Sequence, residues 1–133
     1  MIISDSSISY NKKNGKCIEY HKNGNIYIKC YYIDDKLNGA YITYSVNENM
    51  YSKQHYIDDK LNGVQINYRK NGKILSTYCD IDNKINGEDI HYYENGKIKK
   101  KSYFIDGKEN GTFIRYDVNG NIVFKHYFID DKE

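Results

Sequence analysis

The sequence predicts an all-β fold: an elongated, single-sheet antiparallel meander of repeated β-hairpins. Three observations carry this: a 24-residue period, Asn-Gly pairs in fixed phase within it, and Ile-x-Tyr stretches alternating at period two between them.

Taken in order, residues 1–9 read as a cap strand or tail in which Ile2 and Ile3 supply the apolar residues. Five blocks follow without a gap: 10–33, 34–57, 58–81, 82–105 and 106–129. With a short acidic tail, 130–133, they form one repeat domain over 10–133. Lys12, Lys36, Lys60, Lys84 and Lys108 share one phase, and an Asn-Gly pair begins two residues after each, from Asn14-Gly15 to Asn110-Gly111. Ile18, Ile42, Ile66, Ile90 and Ile114 come next, then Tyr20, Tyr44, Tyr68, Tyr92 and Tyr116. A second Asn-Gly follows in every block but the second, which has Asn47-Glu48, and each block closes on Ile33, Ile57, Ile81, Ile105 or Ile129.

Asn-Gly adopts positive φ at little cost, so two such pairs per block mark two chain reversals. A short Ile-x-Tyr strand lies between them, and a longer strand such as 98–105 follows the second. A two-residue hairpin at Asn95-Gly96 sets Tyr92 opposite Lys99, whereas a three-residue loop with glycine in the left-handed position sets Tyr92 opposite Ile98. The second gathers Ile90, Tyr92 and Ile98 on one face, and burial selects it. On that register Cys17 and Cys30 fall on different faces and stay thiols. Ile98 and the pair Tyr103/Ile105 then have opposite parity, which calls for either a bulge or apolar rows on both faces.

Sixteen tyrosines let a thin structure cover itself with rings whose tips stay wet. A net charge of +2, from 20 basic and 18 acidic residues, is too small to announce nucleic acid, and none is expected as a partner. No run of 18 apolar residues is present, and residues 1–9 lack the basic and apolar parts of a secretory signal. Three cysteines without CxxC spacing suit a reducing, intracellular setting. The excess of Lys over Arg, with abundant Asn, Ile and Tyr, points to an AT-rich genome such as that of some large DNA viruses.

The pattern NGxxIxYxxNGKIxxxxYFIDxKxNG resembles the MORN repeat, in the variant form of antitoxin-like MORN proteins. Gly87, Tyr92, Asn95-Gly96-Lys97, Tyr103, Lys108 and Asn110-Gly111 carry the resemblance, which extends over 10–129. It implies a twisted antiparallel meander serving protein association, membrane-proximal scaffolding or, in some members, toxin neutralisation.

Candidate chemistry is sparse. The acidic turns Asp34-Asp35, Asp58-Asp59 and Asp130-Asp131, with Asp82 and Asp106 in phase, lie two strands from their nearest equivalents, about 10 Å, too far to share one calcium ion, so turn formation explains them. Cys17, Cys30, Cys79, His21, His55, His91 and His126 scatter in repeat phase and make no zinc or catalytic set. No cofactor is expected. The basic run Lys97, Lys99, Lys100 and Lys101 is weighed as an anion-binding patch against a solvated strand face, and the solvated face is favoured. Tyr41, Tyr93 and Phe113, which vary between blocks, are the other candidates for contacting a partner. The expectation is a non-catalytic protein-interaction or scaffold module, with a peripheral anionic-lipid module or an antitoxin-like inhibitor as alternatives, and edge pairing as a route to a homodimer.

Overall fold

The structure, a computed structural model, describes residues 2–4, 8–9 and 12–132. It is an all-β meander. The strand β1 (Ile2–Ser4) precedes a separate two-stranded pair, β2 (Ile8–Ser9) and β3 (Lys12–Lys13). Hairpins follow: β4 (Gly15–Tyr20) with β5 (Ile26–Ile33), then, past the short β6 (Lys36–Leu37), β7 (Gly39–Tyr44) with β8 (Met50–Ile57). After β9 (Lys60–Leu61) come β10 (Gly63–Tyr68) with β11 (Ile74–Ile81) and β12 (Lys84–Tyr92) with β13 (Ile98–Ile105). Beyond β14 (Lys108–Glu109), β15 (Gly111–Tyr116) pairs with β16 (Ile122–Phe128). Fourteen of these strands make one antiparallel sheet in chain order, with β1 beside β4 at one edge and β16 at the other.

The two reversals of each hairpin unit differ. Ile33 pairs with Lys36 across Asp34-Asp35, whose φ values of 48° and 67° put both residues in the left-handed region that a two-residue type I′ turn requires. The same pair of positive φ values recurs at Asp58/Asp59, Asp82/Asn83, Asp106/Gly107 and Asp130/Asp131. This corrects the expectation that Asn38-Gly39 makes the reversal. That pair lies within the returning strand: three steps along β5, from Tyr32 to Lys29, correspond to five along its partner, from Leu37 to Ile42. Gly39, at φ 91°, is the bulge that absorbs the difference.

The asparagine before that bulge has a second task. Asn14 Oδ1 accepts from Asp34 N at 2.9 Å, Asn38 Oδ1 from Asp58 N at 3.1 Å, and Asn86 Oδ1 from Asp106 N at 2.9 Å. In return, Leu37 N donates to Asp59 Oδ1 at 2.6 Å, Leu61 N to Asn83 Oδ1 at 2.7 Å, and Glu109 N to Asp131 Oδ1 at 2.6 Å. Each acidic turn therefore clasps the unit before it, satisfying one backbone N–H of its own and one of the preceding unit. The last of these clasps uses Asp130-Asp131, so the acidic tail takes the same turn geometry as the earlier acidic pairs.

At the opposite end the three-residue loop forms as expected. Tyr93 N donates to Lys97 O at 2.8 Å and Gly96 N to Tyr93 O at 3.0 Å, with Gly96 at φ 87°, and Tyr92 sits opposite Ile98. Immediately beyond, His91 pairs with Lys100, so Lys99 is an extra residue. This second bulge reverses the parity and accounts for the opposite phases of Ile98 and Tyr103/Ile105. Tyr27, Tyr51, Leu75 and Val123 occupy the same position in the other hairpins.

The bulge also overturns the expected placement of the cysteines on different faces. Cys17 and Cys30 lie directly opposite one another on the same face, as free thiols.

Among the described residues, all eight buried ones fall on that face: Cys17, Ile28, Cys30, Ser52, Gln65, Ser76, Asp80 and Ser102. Among the described residues no second layer covers either side, so one-sided burial means that the sheet coils with this face inward. Ile18, Ile42, Ile66, Ile90 and Ile114, with the Tyr20 to Tyr116 row, line the other face and are only half-buried. Those apolar residues do share a face, but the less buried one.

Candidate binding face

The outer face is built by the pairing register. Across successive strands, Ile18 lies opposite Lys29, Lys29 opposite Ile42, Ile42 opposite Lys53, Lys53 opposite Ile66 and Ile66 opposite Thr77. The row continues through Ile90, Lys101 and Ile114 to Lys125. Isoleucine and lysine thus alternate across ten strands, with Thr77 in the place of one lysine. A β-branched side chain packs against the lysine methylenes and leaves the ammonium at the surface.

Tyr20 to Tyr116 run beside this row; Lys29 Nζ lies 5.6 Å from the centroid of the Tyr44 ring. Toward the acidic turns the face is apolar and open. Tyr31, Tyr103 and Tyr127 are exposed, and Ile33, Ile57, Ile81, Ile105 and Ile129 are 47–61% exposed. The one carboxylate among the described strand residues of this face is Glu88, whose Oε1 sits 2.9 Å from Lys101 Nζ; that bond is the main influence raising the Lys101 pKa.

Shallow depressions recur on the same face. Lys29, Tyr31, Gly39 and Ile42 line one, Lys53, His55, Gly63 and Ile66 the next equivalent, and Lys101, Tyr103, Gly111 and Ile114 a third. Gly63 and Gly111 have φ of 103° and 102°, and a Cβ there would meet the His55 side chain at 3.7 Å and the Tyr103 Cβ at 3.5 Å.

The candidates named from sequence are dispersed. Tyr41 turns inward, edge-on to Tyr56 at 5.8 Å between centroids, and burial pushes its hydroxyl up to about 12. Phe113 is inward too, edge-on to Phe124 at 6.0 Å and Phe128 at 6.5 Å. Tyr93 donates its hydroxyl to Tyr116 O at 2.7 Å, a position where Arg69 Nη2 meets Tyr92 O at 2.7 Å and His21 Nε2 meets Tyr44 O at 2.9 Å. These side chains complete a carbonyl of the neighbouring unit.

Nor does the basic run converge. Lys97 donates to Asn119 O at 3.2 Å, and Lys99 Nζ lies 5.8 Å from the Tyr93 ring centroid. Lys100 faces inward opposite Arg115 and His91, while Lys101 faces outward. His91, 3.2 Å from Asp89, has its pKa lowered by burial first and by Lys100 further, against the pull of Asp89.

The sequence reading missed Lys29, Lys53 and Lys125. Their 24-residue phase was visible, but their position opposite the Ile row depends on the second bulge. Among the described residues no three His, Cys, Asp or Glu side chains are arranged to hold a metal ion, and no helix is long and apolar enough to cross a membrane.

Residues 13–34 and 85–106 match the family model for the MORN repeat variant. No curated protein sequence matches the chain significantly. Among solved structures, the chain is similar to a mutant of S. aureus TarM in complex with fondaparinux, alpha-GlcNAc-glycerol and UDP, at 12% identity and a TM-score of 0.50. The match covers 83% of this chain and 20% of that one, so the chain spans a fifth of that protein's length and the likeness concerns the fold alone.

Proposed function

Because this chain carries MORN repeats of the variant type at residues 13–34 and 85–106, we propose that it is a non-catalytic protein-binding scaffold that meets its partner on the outer face. The observation behind this reading is the exposed apolar surface there. Rows of Ile and Tyr, open to solvent on one side of a sheet and interleaved with lysine, are a composition that association covers. The inner face is taken up by its own packing, so its variable side chains serve coherence of the sheet rather than recognition.

Affinity capture from cell extract, with and without detergent, tests the proposal. A stoichiometric protein partner that survives detergent and is lost from an Ile57→Ser/Ile81→Ser variant is the expected result. An equally efficient capture by that variant refutes the assignment of the face.

A peripheral membrane role is the second reading, favoured by the lysine row beside exposed Ile and Tyr. It requires salt-sensitive binding to anionic vesicles that Lys29→Glu/Lys53→Glu abolishes. Absence of binding at low salt ends it.

A further inference from the structure

The inner face packs against itself along most of its width, and the exception lies on β12, β13 and β15. One row of side chains crosses this face through Thr43, Ser52, Asn67 and Ser76 and continues into His91, Lys100 and Arg115, each directly opposite the next. In its first part the facing groups satisfy one another. Thr43 Oγ1 and Ser52 Oγ lie 2.7 Å apart, and Asn67 Nδ2 donates to Ser76 Oγ at 3.1 Å.

In the second part basic side chains take three consecutive places. Lys100 stands between His91 on one side and Arg115 on the other. Like charges directly opposite one another weaken a sheet, so the Lys100–Arg115 pairing destabilises the free chain. The adjoining row supplies one carboxylate, Asp89, opposite Ser102, and His91 Nε2 already engages it at 3.2 Å. Among the described residues Lys100 and Arg115 make no hydrogen bond or ion pair. Arg115 is held only by a ring, its guanidinium carbon lying 5.7 Å from the Phe124 centroid.

This combination selects a ligand by charge and shape. On the inner side of a coiled sheet, side chains from neighbouring strands converge, so one anion can meet both cations. A guanidinium offers two parallel donors to an oxyanion, and an ammonium adds rotatable ones. A carboxylate has two oxygens and one charge. A phosphate monoester has three terminal oxygens and a charge of about −1.5 to −2 at neutral pH, close to one for each unpaired cation. Phe113 and Phe124, edge-on at 6.0 Å between centroids, give its organic part an apolar wall beside Arg115. Arg115 is exposed and Lys100 half-buried, so the way in from solvent is open. A membrane surface, by contrast, cannot lie against the inside of the coil.

The geometry points to an oxyanion site on the inner face, formed by Lys100 and Arg115 with His91 at its margin, that takes a soluble phosphate monoester. It lies on the face opposite the one assigned to the protein partner, and neither assignment depends on the other.

Isothermal titration of the full chain with phenyl phosphate in a phosphate-free buffer tests the site. Saturable binding is expected, weakened at least about tenfold by Lys100→Ser and by Arg115→Gln, a difference of about 1.4 kcal/mol in each case. Serine already stands at the equivalent places 52 and 76, and the substitution removes one of two opposed charges. Without ligand, the Lys100→Ser chain is therefore expected to unfold at the same temperature as the parent or a higher one. A lowered unfolding temperature would make Lys100 a structural residue and overturn the proposal. Lack of saturable binding, indifference to both substitutions, or equal affinity for phenylacetate also overturns it. So does inorganic phosphate binding as tightly as phenyl phosphate, or binding to phosphatidic acid vesicles without binding to phenyl phosphate.

Discussion

Cys17 and Cys30 show how far one residue of register reaches. An Ile-rich strand and an Asn-Gly turn predict their separation, yet one extra residue, Tyr27, returns them to a shared face. Cys30 Sγ lies 3.7 Å from Cys17 O, and burial, with the facing thiol, raises its pKa to about 11. Cys30 thiolate is scarce at neutral pH, so attack by this sulfur is expected to be slow, and oxidation by a small disulfide is expected to end in an intrachain cross-strand disulfide. Intact mass after incubation with oxidised glutathione then shows a loss of two hydrogens that Cys30→Ser abolishes; a glutathione adduct on Cys17 as the end product counts against the facing arrangement. Asp80 is the other notable residue. Its equivalents are Tyr32, Tyr56, Phe104 and Phe128, yet it is 2% exposed with Oδ2 unpartnered, and burial raises its pKa. A raised folded-state pKa favours folding below the ordinary carboxylate range, and that contribution is lost as pH rises through the folded value. Asp80→Phe is therefore expected to stabilise the chain by about 1–3 kcal/mol at neutral pH, with the gain shrinking in acid. Thermal unfolding at several pH values measures this, and a lower Tm at neutral pH contradicts it.

Between elements, the clasp joining each acidic turn to the preceding bulge does what a lone hairpin cannot. Each contributes paired bonds from a backbone N–H to a side-chain oxygen, worth roughly 0.5–1.5 kcal/mol apiece, and ties neighbouring units together. Asp59 carries two requirements, positive φ and an acceptor for Leu37 N. Asn83 meets both in the next unit, so Asp59→Asn is expected to be nearly neutral while Asp59→Ala costs about 1–3 kcal/mol. Equal chemical denaturation midpoints for the two variants count against the clasp. The period, the three-residue loop and the strand at 98–105 were legible in the sequence because Asn95-Gly96 and the Ile/Tyr alternation are local signals. The clasp was not, since the repeated Asn of Asn-Gly reads as a turn former and its partner Asp lies 20 residues on. The bulge at Lys99 was hidden for a different reason: Tyr, Leu, Lys and Val occupy the position, and no composition marks it.

For the whole molecule, the consequence is an exchange of faces. The sequence expects the repeated Ile and Tyr to be the covered side and the varying Tyr41 and Phe113 to be available. In the structure the varying residues are gathered inside the coil, where Gln65, Asp80 and the serines are also buried, and the repeated Ile–Lys row faces out. Each hairpin unit is stabilised by its neighbours, as in a repeat array. The assignment of the faces is the central claim, and the cysteines test it directly. Cys79 lies on the outer face and is partly exposed, whereas Cys17 and Cys30 lie inward at 2% and 7% exposure. Timed alkylation with iodoacetamide under native conditions, followed by peptide mass mapping, is expected to label Cys79 first and alone, with the other two modified only on unfolding. Labelling of Cys17 or Cys30 at a rate equal to that of Cys79 would contradict the account.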